Sequence, residues 1–264
     1  MKAFKLYSFL AIIILLSSCS SNDDNDNNNA NSLAGFTTRD NCPELPIGPT
    51  SAYWEYAKGN PIPLNQLPVL QNPQAAFSYA HSNRNLPPLT LTPPQGYQAI
   101  DYINPNTNPF GVNMIRNDGA VVWRYVPIST YPVNFSDSNI LDTEVNNVTS
   151  AFGFNGNYNV LCEATPIVFS ENGITRIFRA RMIEFNNTIA LIWIAATYVE
   201  SLFTVSVASS VSAGPSNEYA SLVMDIFLPM SFQLYPSGSS PLSDRDNDGT
   251  PDIFDPEPDN PNVK

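Results

Sequence analysis

Thr188 to Val199 reads TIALIWIAATYV, twelve residues without a charge and with polar groups only near the two ends. A strand with one wet face alternates apolar and polar residues. This run does not alternate, so it reads as a strand covered on both faces, with helices as the cover on each side of the sheet. Its neighbours read as strands too. Ile174 to Phe185 precedes it across Asn186-Asn187, and Leu202 to Ala208 follows it. Upstream, Tyr158 to Ser170 is broken by Pro166 and ends at the turn Glu171-Asn172-Gly173. The result is an antiparallel meander.

The covering helices are visible on either side of the meander. From Ser216, the residues Tyr219, Leu222, Val223, Ile226, Phe227 and Met230 recur at i, i+3, i+4, i+7, i+8 and i+11, an apolar stripe. Ser216 is the expected N-cap, Glu218 suits the first turn, and Pro229 marks the expected end. Ser138 to Phe152 is also helical, with Ile140, Leu141, Val145, Val148 and Phe152 near one face and Asp142 and Glu144 toward its start. Before it, Phe110 to Arg116 and Ala120 to Val126 flank Asn117-Asp118-Gly119, a strong hairpin signal. Tyr97 to Ile103 reads as a further strand.

Pro43 to Pro109 holds thirteen prolines in 67 residues, which excludes continuous helix or central strand over most of it. Two short helices are expected, Ser51 to Lys58 with Thr50 as N-cap and Pro73 to Ala80 with proline in the first turn. Within this arm, Tyr53, Trp54 and Tyr56 are either a stacking platform for a glycan or protein, or rings that pin the arm to the core. His81 is the sole histidine. It has no Cys, His or carboxylate cluster beside it to make it a ligand or a base.

The element order, together with Pro94-Gln95-Gly96-Tyr97 at the front and Pro229-Met230-Ser231-Phe232 at the back, resembles the PsbP-like family over Leu86 to Leu234. That resemblance implies an α+β fold, an α/β/α sandwich, in proteins that are often lipoproteins or lumenal accessory factors and mostly not enzymes. The expected organisation is a signal peptide at 1–18, a tether at 19–32, a proline-rich arm at 33–95, the α+β domain at 96–235 and an acidic tail at 236–264.

At the N-terminus, Lys2 and Lys5 precede the apolar run Phe9 to Leu16, too short to span a bilayer and placed where a cleaved leader belongs. It runs into Leu16-Ser17-Ser18-Cys19, which resembles the bacterial lipobox. The resemblance implies cleavage before Cys19 and an acyl (palmitate) anchor on it, hence an outer-membrane lipoprotein on the cell surface or the periplasmic face. Ser20 to Ser32 has almost nothing to bury and reads as a tether. Its Asp23, Asp24 and Asp26 resemble a surface-export signal of some Gram-negative lipoproteins. The net charge of −12 comes largely from this tether and the tail, and no basic surface is offered to nucleic acid. Cys42 and Cys162 are either one disulfide, expected in an oxidising compartment, or two separately buried thiols.

The tail carries the sharpest local pattern. With Asp244 as position 1, carboxylates fall at 1, 3, 5, 9 and 12 (Asp244, Asp246, Asp248, Asp252, Asp255), with Gly249 at 6 and the Thr250 carbonyl at 7. Ca²⁺ takes six to eight hard oxygens, and this spacing folds them around one centre. The loop resembles the thrombospondin type 3 repeat, without its cysteine and in one complete copy, and implies a structural Ca²⁺. Arg179 and Arg181, two apart on a strand, share a face. They either clamp an anionic ligand or cover a helix and pair with Glu184 or Glu200. No catalytic residue stands out. The expected function is non-catalytic binding or assembly in the envelope. A glycan- or protein-binding lipoprotein using the aromatic cluster and a carboxylate-based hydrolase are the alternatives.

Overall fold

The computed structural model describes residues 42, 45, 48–58, 68–79, 89–104 and 106–234. In chain order the elements are α1 (Pro49–Ala57), β1 (Phe77–Tyr79), β2 (Leu89–Leu91), β3 (Tyr97–Asp101), β4 (Phe110–Arg116), β5 (Val122–Pro132), α2 (Asp137–Ala151), β6 (Asn159–Glu163), β7 (Ile167–Glu171), β8 (Ile174–Phe185), β9 (Thr188–Val199), β10 (Thr204–Pro215), α3 (Tyr219–Leu222), a π turn (Val223–Phe227) and α4 (Leu228–Phe232). Eight strands form one sheet in the order β3-β4-β5-β10-β9-β8-β6, with β7 also on β8. All its pairings are antiparallel. β6 takes the Arg181–Glu184 half of β8 and β7 takes the Ile174–Phe178 half, because Pro166 cannot continue one strand past both.

β9 is covered on both sides. Ala190, Ile192, Ile194 and Ala196 pack in a core with Ile140, Leu141, Val145 and Val148 of α2. Leu191, with Ile189 and Trp193 beside it, faces a second core holding Ala52 and Trp54 of α1 and Leu222, Val223 and Phe227 of the last helix. The protein is therefore an α+β sandwich of helix, antiparallel sheet and helix. Among the described residues no helix is long and apolar enough to cross a membrane.

Local chemistry sets the turns. Gly119 adopts φ +76°, the left-handed conformation that closes the β4–β5 hairpin. The Ser136 hydroxyl accepts from the Asn139 N–H at 3.1 Å and caps α2. The cap lies two residues before the expected start, so Asp137 occupies the first turn and Glu144 sits mid-helix.

Four further expectations are corrected. Residues 73–79 are not helical. Phe77–Tyr79 pairs with Leu89–Leu91, and Tyr79 stacks on Phe110 at 5.2 Å, so the alternation Phe-Ser-Tyr acts as a strand once a partner exists. α1 begins at Pro49 with Gly48, not Thr50, at its N-cap. β10 starts two residues later than expected and runs to Pro215, which moves the next N-cap from Ser216 to Glu218. Pro229 does not end the last helix. A proline lacks the N–H for an i−4 bond, and the π turn just before it opens the ladder, so the helix continues to Phe232. The extra residue of the π turn also rotates the stripe: Leu228 is buried and Ile226 only half-buried.

Candidate functional site

The α2 residues that face the sheet are fixed by helical spacing. Ile140, Glu144 and Val148 follow at intervals of four, so Glu144 lies in the middle of the apolar stripe and is 2% exposed. Opposite it on β5 is Arg124, 5% exposed, which shares its sheet face with Asn113 of β4. The Arg124 Nε donates to Asn113 Oδ1 at 2.8 Å, and its guanidinium lies over the Tyr102 ring at 4.0 Å. The Tyr131 hydroxyl donates to Glu144 Oε1 at 2.8 Å. Arg124 Nη1 and Glu144 Oε2 are 3.9 Å apart, and neither has a hydrogen-bond partner; Asn147 Nδ2, one helical turn on, is in the same condition.

Burial dominates the acid–base behaviour of this cluster. It raises the Glu144 carboxyl above the ordinary glutamate value, against the opposing pull of Arg124 and the Tyr131 hydroxyl. Tyr131 is pushed up by burial and then by the nearby Glu144 charge. Two donors and an acceptor left over inside a low-dielectric interior suit a bridging water.

At the rim of α2 the two expected arginines are both engaged. Arg179 pairs through Nε with the Asp137 carboxylate at the start of α2, and its Nη1 lies 3.8 Å from Glu163. Arg181 binds Glu163 through Nε at 2.9 Å and Nη2 at 3.0 Å, and Asp142 through Nη1 at 2.7 Å. The partners are therefore not Glu184 or Glu200. Glu184 shares a strand with the arginines, and Glu200 lies beyond the far end of β9, whereas α2 crosses directly over Arg179 and Arg181.

The aromatic cluster is also placed. Tyr53 and Trp54 are buried and Tyr56 is half-buried. Tyr53 stacks on Phe227 at 5.9 Å, its hydroxyl bonds Ser212 Oγ, and Tyr56 meets Phe232 edge-on at 5.4 Å. Tyr53 also stacks on Tyr56 at 6.2 Å, and the Lys58 ammonium lies over the buried Trp54 ring at 5.8 Å, so these rings pin α1 to the core rather than offering a contact platform for a glycan or a protein. Cys42 and Cys162 are bonded to each other, with Cα atoms 5.4 Å apart. Cys19, His81 and the acidic loop Asp244 to Asp255 lie outside the described residues.

The Arg124–Glu144 pair is not evident from the sequence, where Glu144 reads as a helix-start acid. The stripe itself held the signal: a carboxylate at the centre of 140, 141, 144, 145 and 148 needs a buried partner.

No family model and no curated protein matches this chain. Among solved structures it is similar to LpqN, involved in cell envelope biogenesis of Mycobacterium tuberculosis, with 11% identity and a TM-score of 0.30 over 57% of this chain and 87% of that one. It is also similar to the Ran-binding protein Mog1p of Saccharomyces cerevisiae, with 14% identity and a TM-score of 0.28 over 55% of this chain and 82% of that one. Likenesses at such scores decide nothing about function; the α+β class rests on the sheet and helices themselves.

Proposed function

We propose that this chain is an exported, lipid-anchored protein of the bacterial outer membrane, exposed at the cell surface or in the periplasm. Its PsbP-like sandwich serves binding or assembly, and its tail holds a structural Ca²⁺. The observation that carries the reading is the Cys42–Cys162 bond, because disulfides form and persist in oxidising compartments. The leader Met1 to Ser18 and the lipobox-like Leu16-Ser17-Ser18-Cys19 supply the route to such a compartment. In the tail, Asp244, Asp246, Asp248, Asp252 and Asp255 with the Thr250 carbonyl offer the hard oxygens Ca²⁺ prefers.

The reading is tested by expressing the full chain in a Gram-negative host, fractionating the envelope and weighing the N-terminal peptide. An acylated Cys19 in the outer-membrane fraction, with release of the Cys19→Ala variant, is the expected result. An unacylated mature N-terminus overturns it.

A further inference from the structure

The loop Glu200–Phe203 joins β9 to β10, and Leu202 and Phe203 within it are 52% and 89% exposed. Val133, just past the end of β5, is 47% exposed, and its N–H donates to the Phe203 carbonyl at 3.1 Å. The three apolar side chains therefore share one end of the sheet. Their loop is held in shape by the Leu202 N–H on the Val199 carbonyl and the Glu200 N–H on the Gly173 carbonyl. A single exposed apolar residue is ordinary; three adjoining ones on a braced projection mark a contact surface.

We propose that Val133, Leu202 and Phe203 form a tip that inserts into an electrically neutral phospholipid surface beside the acyl anchor. The proposal rests on the reading that Cys19 is acylated. Chain length argues for the lipid as occupant. Cys42 is bonded to Cys162, which pairs with Met182, eight residues along β8 from Ile174 at the tip end. Eight strand residues cover about 26 Å. Residues 20–41 span at most about 75 Å, so anchor and tip reach the same surface. Charge decides the kind of lipid. Glu200 in the loop and Glu171 at the end of β7 are both exposed at this end of the sheet, on the β8 side of the tip, so an anionic surface repels it and a zwitterionic one does not.

The test uses the full mature chain with Cys19→Ala, which removes the acyl contribution, and unilamellar vesicles of phosphatidylcholine with or without phosphatidylglycerol. The expected result is co-sedimentation with phosphatidylcholine, weakened by phosphatidylglycerol. Leu202→Ser or Phe203→Ser should each lower the partition about tenfold, as loss of one buried apolar side chain does. A Phe203→Trp variant should shift its emission to the blue and be quenched by brominated lipid. These exposed positions should leave the thermal midpoint unchanged, which separates tip loss from misfolding. Absence of vesicle binding, or binding equal in the tip variants, overturns the proposal. So does a Phe203-dependent dimer without vesicle binding, which assigns the tip to a second copy. Acylation of the wild-type chain is read separately by mass spectrometry, so the anchor and the tip fail independently.

Discussion

Arg124 of β5 and Glu144 of α2 face each other inside the protein with Nη1 3.9 Å from Oε2, close enough to attract and too far to share a hydrogen bond. The pair ties the helix layer to the sheet. Removing one partner leaves a buried charge without compensation. Arg124→Met should therefore destabilise the fold by about 3–5 kcal/mol. The double variant Arg124→Met, Glu144→Leu should recover most of that loss, since an apolar pair of similar volume is neutral or better in such a place. Urea unfolding of the wild type, both single variants and the double variant measures the coupling. A double-variant loss equal to the sum of the two single losses would show that the two groups do not interact.

The same cluster gives stability a pH dependence of known sign. Burial holds the Glu144 carboxyl above its unfolded value, so the folded state keeps its proton more tightly than the unfolded chain does. Stability from this group is full below the ordinary glutamate value and declines as pH rises through the raised one. Relative to Glu144→Gln, which cannot titrate, the wild type should lose stability on going from acid to neutral pH. Denaturation midpoints of the two proteins across that window provide the comparison, and parallel curves would contradict it.

How far the residues disclose this fold depends on whether the controlling contact is local. TIALIWIAATYV announces two covered faces because no strand in contact with water reads that way, and Asn117-Asp118-Gly119 announces a hairpin because its glycine takes positive φ. Phe77–Tyr79 does neither: three residues become a strand only when Leu89–Leu91 pairs with them. Pro229 reads as a stop, yet the helix passes it after the π turn Val223–Phe227, and no signal in the apolar stripe marks that turn. The arginines of β8 were visible as a same-face pair, but their partners Asp137, Asp142 and Glu163 depend on where α2 and β6 come to rest. Phe203 reads as part of a strand in the sequence, but β10 begins one residue later, at Thr204.

Gly111 sits where the β4–β5 register shifts between Phe110 and Val112. A Cβ there would lie 2.7 Å from Val126 Cγ2, 2.9 Å from the Tyr125 carbonyl oxygen and 2.9 Å from Val126 Cα. Two of these neighbours are backbone and cannot turn aside. Gly111→Ala should cost about 1–3 kcal/mol, the usual penalty of forcing an extra carbon into a packed place. A thermal midpoint within a degree of wild type would show that the strand relaxes around it.

For the acidic tail, the expected dissociation constant for Ca²⁺ is on the order of 10⁻⁴–10⁻³ M, since aspartate stands at position 12 where the tightest loops place a bidentate glutamate. Calorimetric titration of the chelator-treated full chain should give one binding event. Asp244→Ala and Asp248→Ala should each abolish it. A flat titration of the wild type removes Ca²⁺ from the account.

Cys42 stands before α1 and Cys162 in β6, so their bond closes a loop with a sequence separation of 120 and secures the start of the described chain to the edge of the sheet. In the chain-entropy picture such a closure restricts the unfolded ensemble by about 4–5 kcal/mol. Around the bond, Cys42, Leu45, Cys162 and Ala164 lie in the same core as Trp54 and Tyr53. Losing the bond therefore also loosens the packing of α1 on the last helix. Reduction, or the pair of substitutions Cys42→Ser and Cys162→Ser, should lower stability by roughly 2–5 kcal/mol. It should also increase hydrogen exchange at residues 48–58 before residues 188–199, because β9 keeps its neighbours on both sides when the arm is freed. Uniform loss of protection across both segments would mean that the arm and the sheet unfold as one unit, and that the bond acts on the whole fold rather than on its attachment to the arm.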